Sequence, residues 1–330
     1  MIPTGLAPQL ARHLPRLLLA ILWAIGAEVL LWSYPPDRSV IDWILTLAGY
    51  GVLAYALVDL AIRWRLRDLY GVAPLGGLAA LLYALVVNPQ FTLIDIPRTL
   101  VTRAMGSHAL LFMGMLLLWL VMLRAVPLQR LLVPLAALIG VCWGTWVRYA
   151  PILTDIPGPT LTDPTLFLIV GIGVVALIGG VGLIGSRTPL ARGEALLMQP
   201  AEAVVVGFAA IALVYRQLDL GAIDLESRGL VVGLIGLCLA MLWFRKDTSY
   251  GYLVGDVRVD PPWGTWFAGM MAFLIGASVA FSAPIIGDDS INQVAAIAAL
   301  FTLFGAIWLP GVSVILGLRA VLRQVSSTPL

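Results

Sequence analysis

The chain has 330 residues, 61% of them hydrophobic and only 12% charged, with a net charge of +2. Its mean hydropathy is +0.99. A soluble domain carries about 25% charged residues, so water cannot be the only solvent for this chain, and so small a net charge argues against a nucleic-acid partner.

The apolar residues fall into about ten runs of roughly 20 residues, the length that crosses ~30 Å of hydrocarbon as a helix. Barrel strands would alternate polar and apolar residues over roughly 10 positions, and these runs do not alternate. In hydrocarbon every backbone amide must find an internal partner, which favours helices. The fold class expected is all-α: a polytopic transmembrane helix bundle of about ten spans in one membrane domain. The spans are placed at 15–34, 40–62, 72–90, 107–124, 130–150, 165–186, 200–217, 228–245, 263–284 and 292–318.

The first run follows Arg12, His13 and Arg16 and ends near Tyr34. It is too long for a signal-peptide core and lacks a small-x-small cleavage pattern before Pro35 and Pro36, so it reads as a retained span. Within it lies Glu28, with no charge for eleven residues before it and eight after. At 1.5 Å per residue Glu28 sits about 5 Å from the centre of the span. An acid at that depth is expensive and is a functional candidate by default. The bland alternative is a protonated side chain bonded to a neighbouring helix. In the second run Asp59 and Arg63 are one helical turn apart, which predicts a local ion pair.

Asn88 and Gln90 flank Pro89 at the end of the third run. Residues 92–105 follow. Asp95 and Pro97 are helix-start residues, and apolar positions recur opposite Arg98, Thr102 and Arg103, which predicts a short helix in the outer interface. His108 opens the fourth run and Arg148 closes the fifth. Glu28, Asn88, Gln90, His108 and Arg148 are the candidate substrate or proton site, lining an outward-facing polar cavity. Residues 151–164 hold four prolines and read as an extended loop. The sixth run contains Gly171, Gly173, Gly179, Gly180, Gly182 and Gly185; glycine at that density permits close helix approach, and a central position is expected. Glu202 begins the seventh run, where a carboxylate complements the helix dipole. Pro310 in the last run predicts a kink.

Charge in the gaps orients the bundle. Arg12, Arg16, Arg63, Arg65, Arg67, Arg124, Arg130, Arg187, Arg192, Arg245, Lys246, Arg258, Arg319 and Arg323 fall on one side, 14 in all, against 6 on the other: Arg38, Arg98, Arg103, Arg148, Arg216 and Arg228. Positive residues near span ends stay cytoplasmic, so both termini are expected inside, and the location expected is the cell (plasma or inner) membrane.

A parallel internal repeat, 15–124 against 200–318 with helices 130–186 between, is suggested by two matched spacings. Asp42 precedes Arg63 as Asp224 precedes Arg245, and Asp68, Pro74 and Gly76 are spaced as Asp256, Pro262 and Gly264. Transporters often carry such repeats.

Some chemistry is argued against. Cys142 and Cys238 lie inside apolar runs with no metal-ligand spacing. There is no P-loop and no HExxH. Two histidines in 330 residues do not provide bis-His haem ligation across several spans, which argues against a haem-carrying quinol oxidoreductase core. No metal and no cofactor are expected. Three functional classes remain: a secondary transporter or permease for a small solute, a non-catalytic integral subunit of a larger complex, and a membrane-embedded enzyme on a lipid-linked substrate. The enzyme reading is the weakest, since only Asp95, Arg98, Arg103 and His108 group polar chemistry. Expected partners are the lipid bilayer and other copies or subunits in the membrane.

Overall fold

The computed structural model describes residues 6–31, 39–66, 69–123, 129–149, 162–186, 193–219, 221, 225–244, 263–283 and 290–327. Among them there is no strand. The helices are α1 (Leu6–Ala24), continued by a π-helical segment Ile25–Leu30; α2 (Val40–Arg63); α3 (Val72–Val86); α4 (Ala109–Met122), preceded without a break by a π-helical segment Leu100–His108; α5 (Leu132–Arg148); α6 (Pro164–Ser186); α7 (Pro200–Asp219); α8 (Leu225–Phe244); α9 (Trp263–Ser282); and α10 (Ser290–Ser327). Seven helices are long and apolar enough to cross a membrane: those containing Arg12–Leu30, Val40–Arg63, Leu100–Met122, Pro164–Leu183, Pro200–Asp219, Trp263–Ser282 and Ala295–Arg319. Val72–Val86, Leu132–Arg148 and Gly229–Phe244 are apolar but shorter. This is the build of a multi-pass membrane protein.

Local chemistry sets the helix ends. Ser39 caps α2 reciprocally: its hydroxyl accepts from the Asp42 amide at 3.2 Å while Asp42 accepts from the Ser39 amide, which satisfies two otherwise orphaned groups. Arg65, just past α2, has φ +49° and turns the chain. Pro15 lies inside α1; its carbonyl accepts from Trp119 Nε1 at 2.7 Å, which ties α1 to α4. α10 runs through Pro310 as one helix.

The helices differ in how much they bury. The span windows in the first part of the chain are 72%, 50% and 67% buried, whereas those of α6, α7, α9 and α10 are 11–22% buried. The core therefore lies among α1 to α4. The expectation that the glycine-rich α6 is central is overturned: most of its residues are exposed or half-buried, and a Cβ at Gly173 or Gly180 would meet nothing within 4 Å. Of the glycines described, only Gly171 packs tightly, where a Cβ would lie 3.2 Å from the Trp143 ring and 3.3 Å from Leu274; these are side-chain contacts, not an approach of helix backbones. The close approach occurs instead between α5 and α9. A Cβ at Gly140 would collide with the Phe273 carbonyl oxygen, one at Gly144 with that of Ala277, and one at Gly276 would lie 2.8 Å from that of Ala137. Gly140 and Gly144 form a GxxxG pair, the spacing that lets two helix backbones touch.

The segment 92–105 also differs from expectation. A single helical turn, Pro89–Thr92, is followed by bends through Asp95, and from Leu100 the chain is helical without interruption into α4. Ala109 N–H bonds back to Ala104 and Gly106 carbonyls, so the segments share one hydrogen-bond ladder. Arg103 thus belongs to the top of a span rather than to a separate interfacial helix.

Side chains tie helix ends together in two groups. Arg12 and Arg16 reach the 196–202 region, Trp64 packs on Trp243, and Arg319 donates to Tyr70 at 2.8 Å. At the other ends Asp42 meets Arg216, Trp146 donates to the Leu31 carbonyl, and Gln217 donates to Val86 and Val87 carbonyls.

Candidate functional site

Glu28 occupies the π-helical turn after α1 and is 3% exposed. The Tyr50 hydroxyl donates to its Oε1 at 2.7 Å and that of Tyr83 at 3.3 Å. Tyr50 comes from α2 and Tyr83 from α3, so the acid at the end of α1 is held from two other helices. Asn88, just past α3, donates through Nδ2 to the Tyr83 hydroxyl at 3.2 Å. His108 stacks on the Tyr83 ring with centroids 4.8 Å apart, and Phe112 edges onto both.

The His108 tautomer follows from its neighbour. Nδ1 lies 3.1 Å from the Arg103 carbonyl oxygen, which can only accept, so Nδ1 carries the proton. Nε2 is then a buried acceptor, and it has no hydrogen-bond partner among the described residues.

Three of the five residues expected at one site are therefore together: Glu28, Asn88 and His108. Gln90 is exposed beside Pro89. Arg148, at the end of α5, donates to the Ala283 carbonyl oxygen and sits 5.8 Å from the Tyr149 ring. Neither joins the Glu28 network, because Gln90 turns outward after Pro89 and Arg148 closes a different helix pair. The network is packed by Trp23, Tyr50, Tyr83 and Phe112, all 0–1% exposed. It is not the open polar cavity that the sequence suggested.

The open cavity is nearby. A cleft of about 1060 Å³ lies between the Pro97–Ser107 segment, Trp146 of α5 and the Ala295–Ala306 stretch of α10. Among the described residues, Arg98, Thr99, Thr102, Arg103, Ser107 and Thr302 supply its polar lining; the other described lining residues are apolar. A second apolar cavity of about 170 Å³ shares Leu31, Ser107, Trp146 and Phe301 with it. Arg103 donates to the Phe91 carbonyl at 2.7 Å and lies 4.2 Å over the Phe91 ring. Arg98 pairs with Asp95 at 2.9 Å, both largely exposed. Thr102 and Thr302 hydroxyls are 2.9 Å apart across the cleft wall. Where the Leu100–His108 segment crosses α10, a Cβ at Gly106 would sit 2.5 Å from the Phe301 carbonyl oxygen, so the crossing is backbone on backbone. Asp95 and His108 do not line this cleft; one is exposed and the other fully buried, so the acid and base of the enzyme reading do not meet in it.

Ser107 joins the two features. It lines the cleft, and its hydroxyl lies 3.4 Å from His108 Nδ1. The cleft floor is thus one residue from the buried network.

A third cluster was seen in the sequence only in part. Arg12 donates to Glu202 at 2.6 Å; Arg16, 0% exposed, reaches the same carboxylate at 3.7 Å and stacks 4.6 Å over Tyr55. Glu202 also accepts from the Gln199 amide at 2.8 Å, the helix-start role expected of it. The expected Asp59–Arg63 pair forms, and Asp59 additionally accepts from the Met198 amide at 2.7 Å.

Comparison of the chain with protein-family models, with characterised proteins and with solved structures gives no match in any of the three. Function has to be argued from this geometry alone.

Proposed function

We propose that the chain is a ten-span permease of the cell (inner) membrane, with both termini cytoplasmic, that moves a small amphiphilic solute entering through the cleft. The cleft carries this reading. A concave site of roughly 300–1,000 Å³, mostly apolar with a few placed polar groups, is the usual form of a small-molecule site, and this one has that size and lining. Its lining residue Ser107 adjoins His108, which stacks on the tyrosine that holds Glu28, and this places a buried polar network next to the site. π-helical segments recur at functional sites, and here both Glu28 and His108 lie in one.

Two observations support the topology. The basic residues divide 14 to 6 between alternate gaps, as the positive-inside tendency requires. The contacts between helix ends also join residues assigned to the same side: Arg12 with Glu202 and Arg319 with Tyr70 on one, Asp42 with Arg216 on the other.

The reading is tested by counterflow of labelled amphiphiles in proteoliposomes containing the full chain. Uptake above protein-free vesicles that disappears when Ala298→Trp fills the cleft supports a permease; uptake indifferent to that change ends it.

A second reading, an integral subunit of a larger complex, is favoured by the thin packing of the later helices, where the α7 window is only 11% buried. It predicts co-purifying subunits after mild extraction, and a lone monomer would count against it.

A further inference from the structure

We infer that the cleft binds a single-chain amphiphile with an anionic head, its head at Arg98 and Arg103 and its tail against the apolar wall of α10. This inference rests on the permease reading and specifies its cargo.

The shape comes first. The α10 wall runs from Ala295 to Ala306, about 16 Å at 1.5 Å per residue. That is half of the ~30 Å hydrocarbon thickness, the depth of one leaflet. Four of the seven described α10 residues on this wall are alanines, Ala295, Ala298, Ala299 and Ala306, beside Phe301, Thr302 and Leu303, so small side chains leave room for a chain to lie along it. At roughly 30 Å³ per heavy atom, the liquid volume of one water, the cleft holds about 35 heavy atoms. A one-chain amphiphile of about 20 heavy atoms fits wholly inside; a two-chain phospholipid of about 50 would overfill it and leave part of itself outside.

The charge is uneven between the walls of the cleft. Among the described lining residues both cationic side chains, Arg98 and Arg103, belong to the 97–107 wall, and the facing α10 wall is apolar except for Thr302. Asp95 offsets Arg98 but is 52% exposed and lines no part of the cleft. Arginine presents five donors in a fork that suits carboxylate and phosphate heads. A neutral head would gain little from either residue, and a cationic head would be repelled.

The test uses the purified full chain in nanodiscs of neutral phosphatidylcholine, with 9,10-dibromostearate as probe and its methyl ester as the uncharged counterpart. Bromine quenches tryptophan on contact, and Trp146 lines the cleft; the site signal is the quenching lost in Trp146→Phe. Saturable quenching by the acid, about tenfold or more weaker for the ester and for the acid with Arg98→Gln, and absent in Ala298→Trp, supports the inference. Arg103→Lys, which keeps the charge, should bind the acid better than Arg103→Gln. Acid and ester binding equally, and both lost on filling the cleft, overturns the anionic assignment while the permease reading stands. No saturable signal from either probe, or a signal that survives both Ala298→Trp and Ala295→Phe, overturns the inference, while the permease reading stands or falls by the counterflow test. Bulk partition is recognised by quenching that does not saturate. Monodisperse elution and an unchanged melting transition qualify each variant.

Discussion

The Tyr50 hydroxyl donates to Glu28 Oε1 at 2.7 Å, across the contact between α2 and the end of α1, where both side chains are at most 3% exposed. The bond satisfies an acid that has little water to turn to. Removing one partner of a buried polar pair leaves the other unsatisfied, at about 1–3 kcal/mol. Tyr50→Phe should therefore lower the melting transition in detergent measurably. Glu28→Gln keeps an oxygen for both phenols and should cost less than Glu28→Leu, which removes the oxygen that both hydroxyls donate to. If Glu28 takes part in coupling, Glu28→Gln will lose counterflow activity while its melting transition stays near that of the parent. Equal loss of stability in Gln and Leu variants would show that the charge itself holds the helices.

His108 gives a contrasting expectation. Its Nδ1 proton shares the Arg103 carbonyl with the Ser107 hydroxyl, at 3.1 and 3.2 Å, while Nε2 is buried without a partner among the described residues. Its surroundings are rings: Tyr83, Phe91 and Phe112. A phenyl group in the same space removes the unsatisfied acceptor and keeps the stacking. His108→Phe should then change stability by less than about 1 kcal/mol, as read by thermal unfolding. A large loss would mean that Nε2 meets a partner, such as an ordered water.

Glycine positions separate by what their missing Cβ would meet. Gly144→Ala must push α5 away from the Ala277 carbonyl of α9, and overpacking of this kind costs about 1–3 kcal/mol. Gly173→Ala meets nothing within 4 Å. It should be neutral or stabilise by up to about 1 kcal/mol, because alanine is the better helix former. The reverse order of melting temperatures would place α6, not α9, against α5.

That pair of glycines also shows where sequence reading stopped. Apolar run length placed helices close to their observed bounds, since lipid forces helical hydrogen bonding whatever the neighbours are. Which helix touches which depends on single small residues, and glycine density in α6 pointed to the wrong one; the GxxxG spacing at Gly140 and Gly144 was the better signal. At the site, Glu28 stood out because an isolated acid in a span has few explanations. Its partners Tyr50 and Tyr83 did not, because tyrosine is common in apolar runs and only the three-dimensional crossing of α1, α2 and α3 brings them to one carboxylate. Of the repeat, Asp68, Asp224, Arg245, Asp256 and Pro262 lie outside the described residues.

Glu202 is shared by two arginines, one of which has no solvent exposure. Neutralising it leaves Arg16 as a buried cation facing Arg12. A fully buried pair costs about 3–5 kcal/mol when one partner is removed; with Glu202 20% exposed, about 2 kcal/mol is the expected loss for Glu202→Gln. Adding Arg12→Gln should restore part of it, because the two cations no longer face each other. A double-mutant cycle on melting transitions measures the coupling, and additive losses would reduce the cluster to independent surface contacts.

The side assignment makes the last prediction. Ser39 and Asp163 both precede helices and are exposed, and Glu194 lies in the segment between α6 and α7. With Cys142 and Cys238 replaced, a single cysteine at Ser39 or at Asp163 should react with a membrane-impermeant maleimide added outside intact cells. A cysteine at Glu194 should react only after the membrane is opened, since α6 separates it from Asp163 by 23 helical residues, about 34 Å at 1.5 Å per residue. That length exceeds ~30 Å of hydrocarbon, so one crossing is enough to put them on opposite sides. Labelling of Asp163 and Glu194 from the same side would mean that α6 lies along the membrane rather than through it. Every later span would then reverse direction, and the cleft would open to the cytoplasm or to neither face.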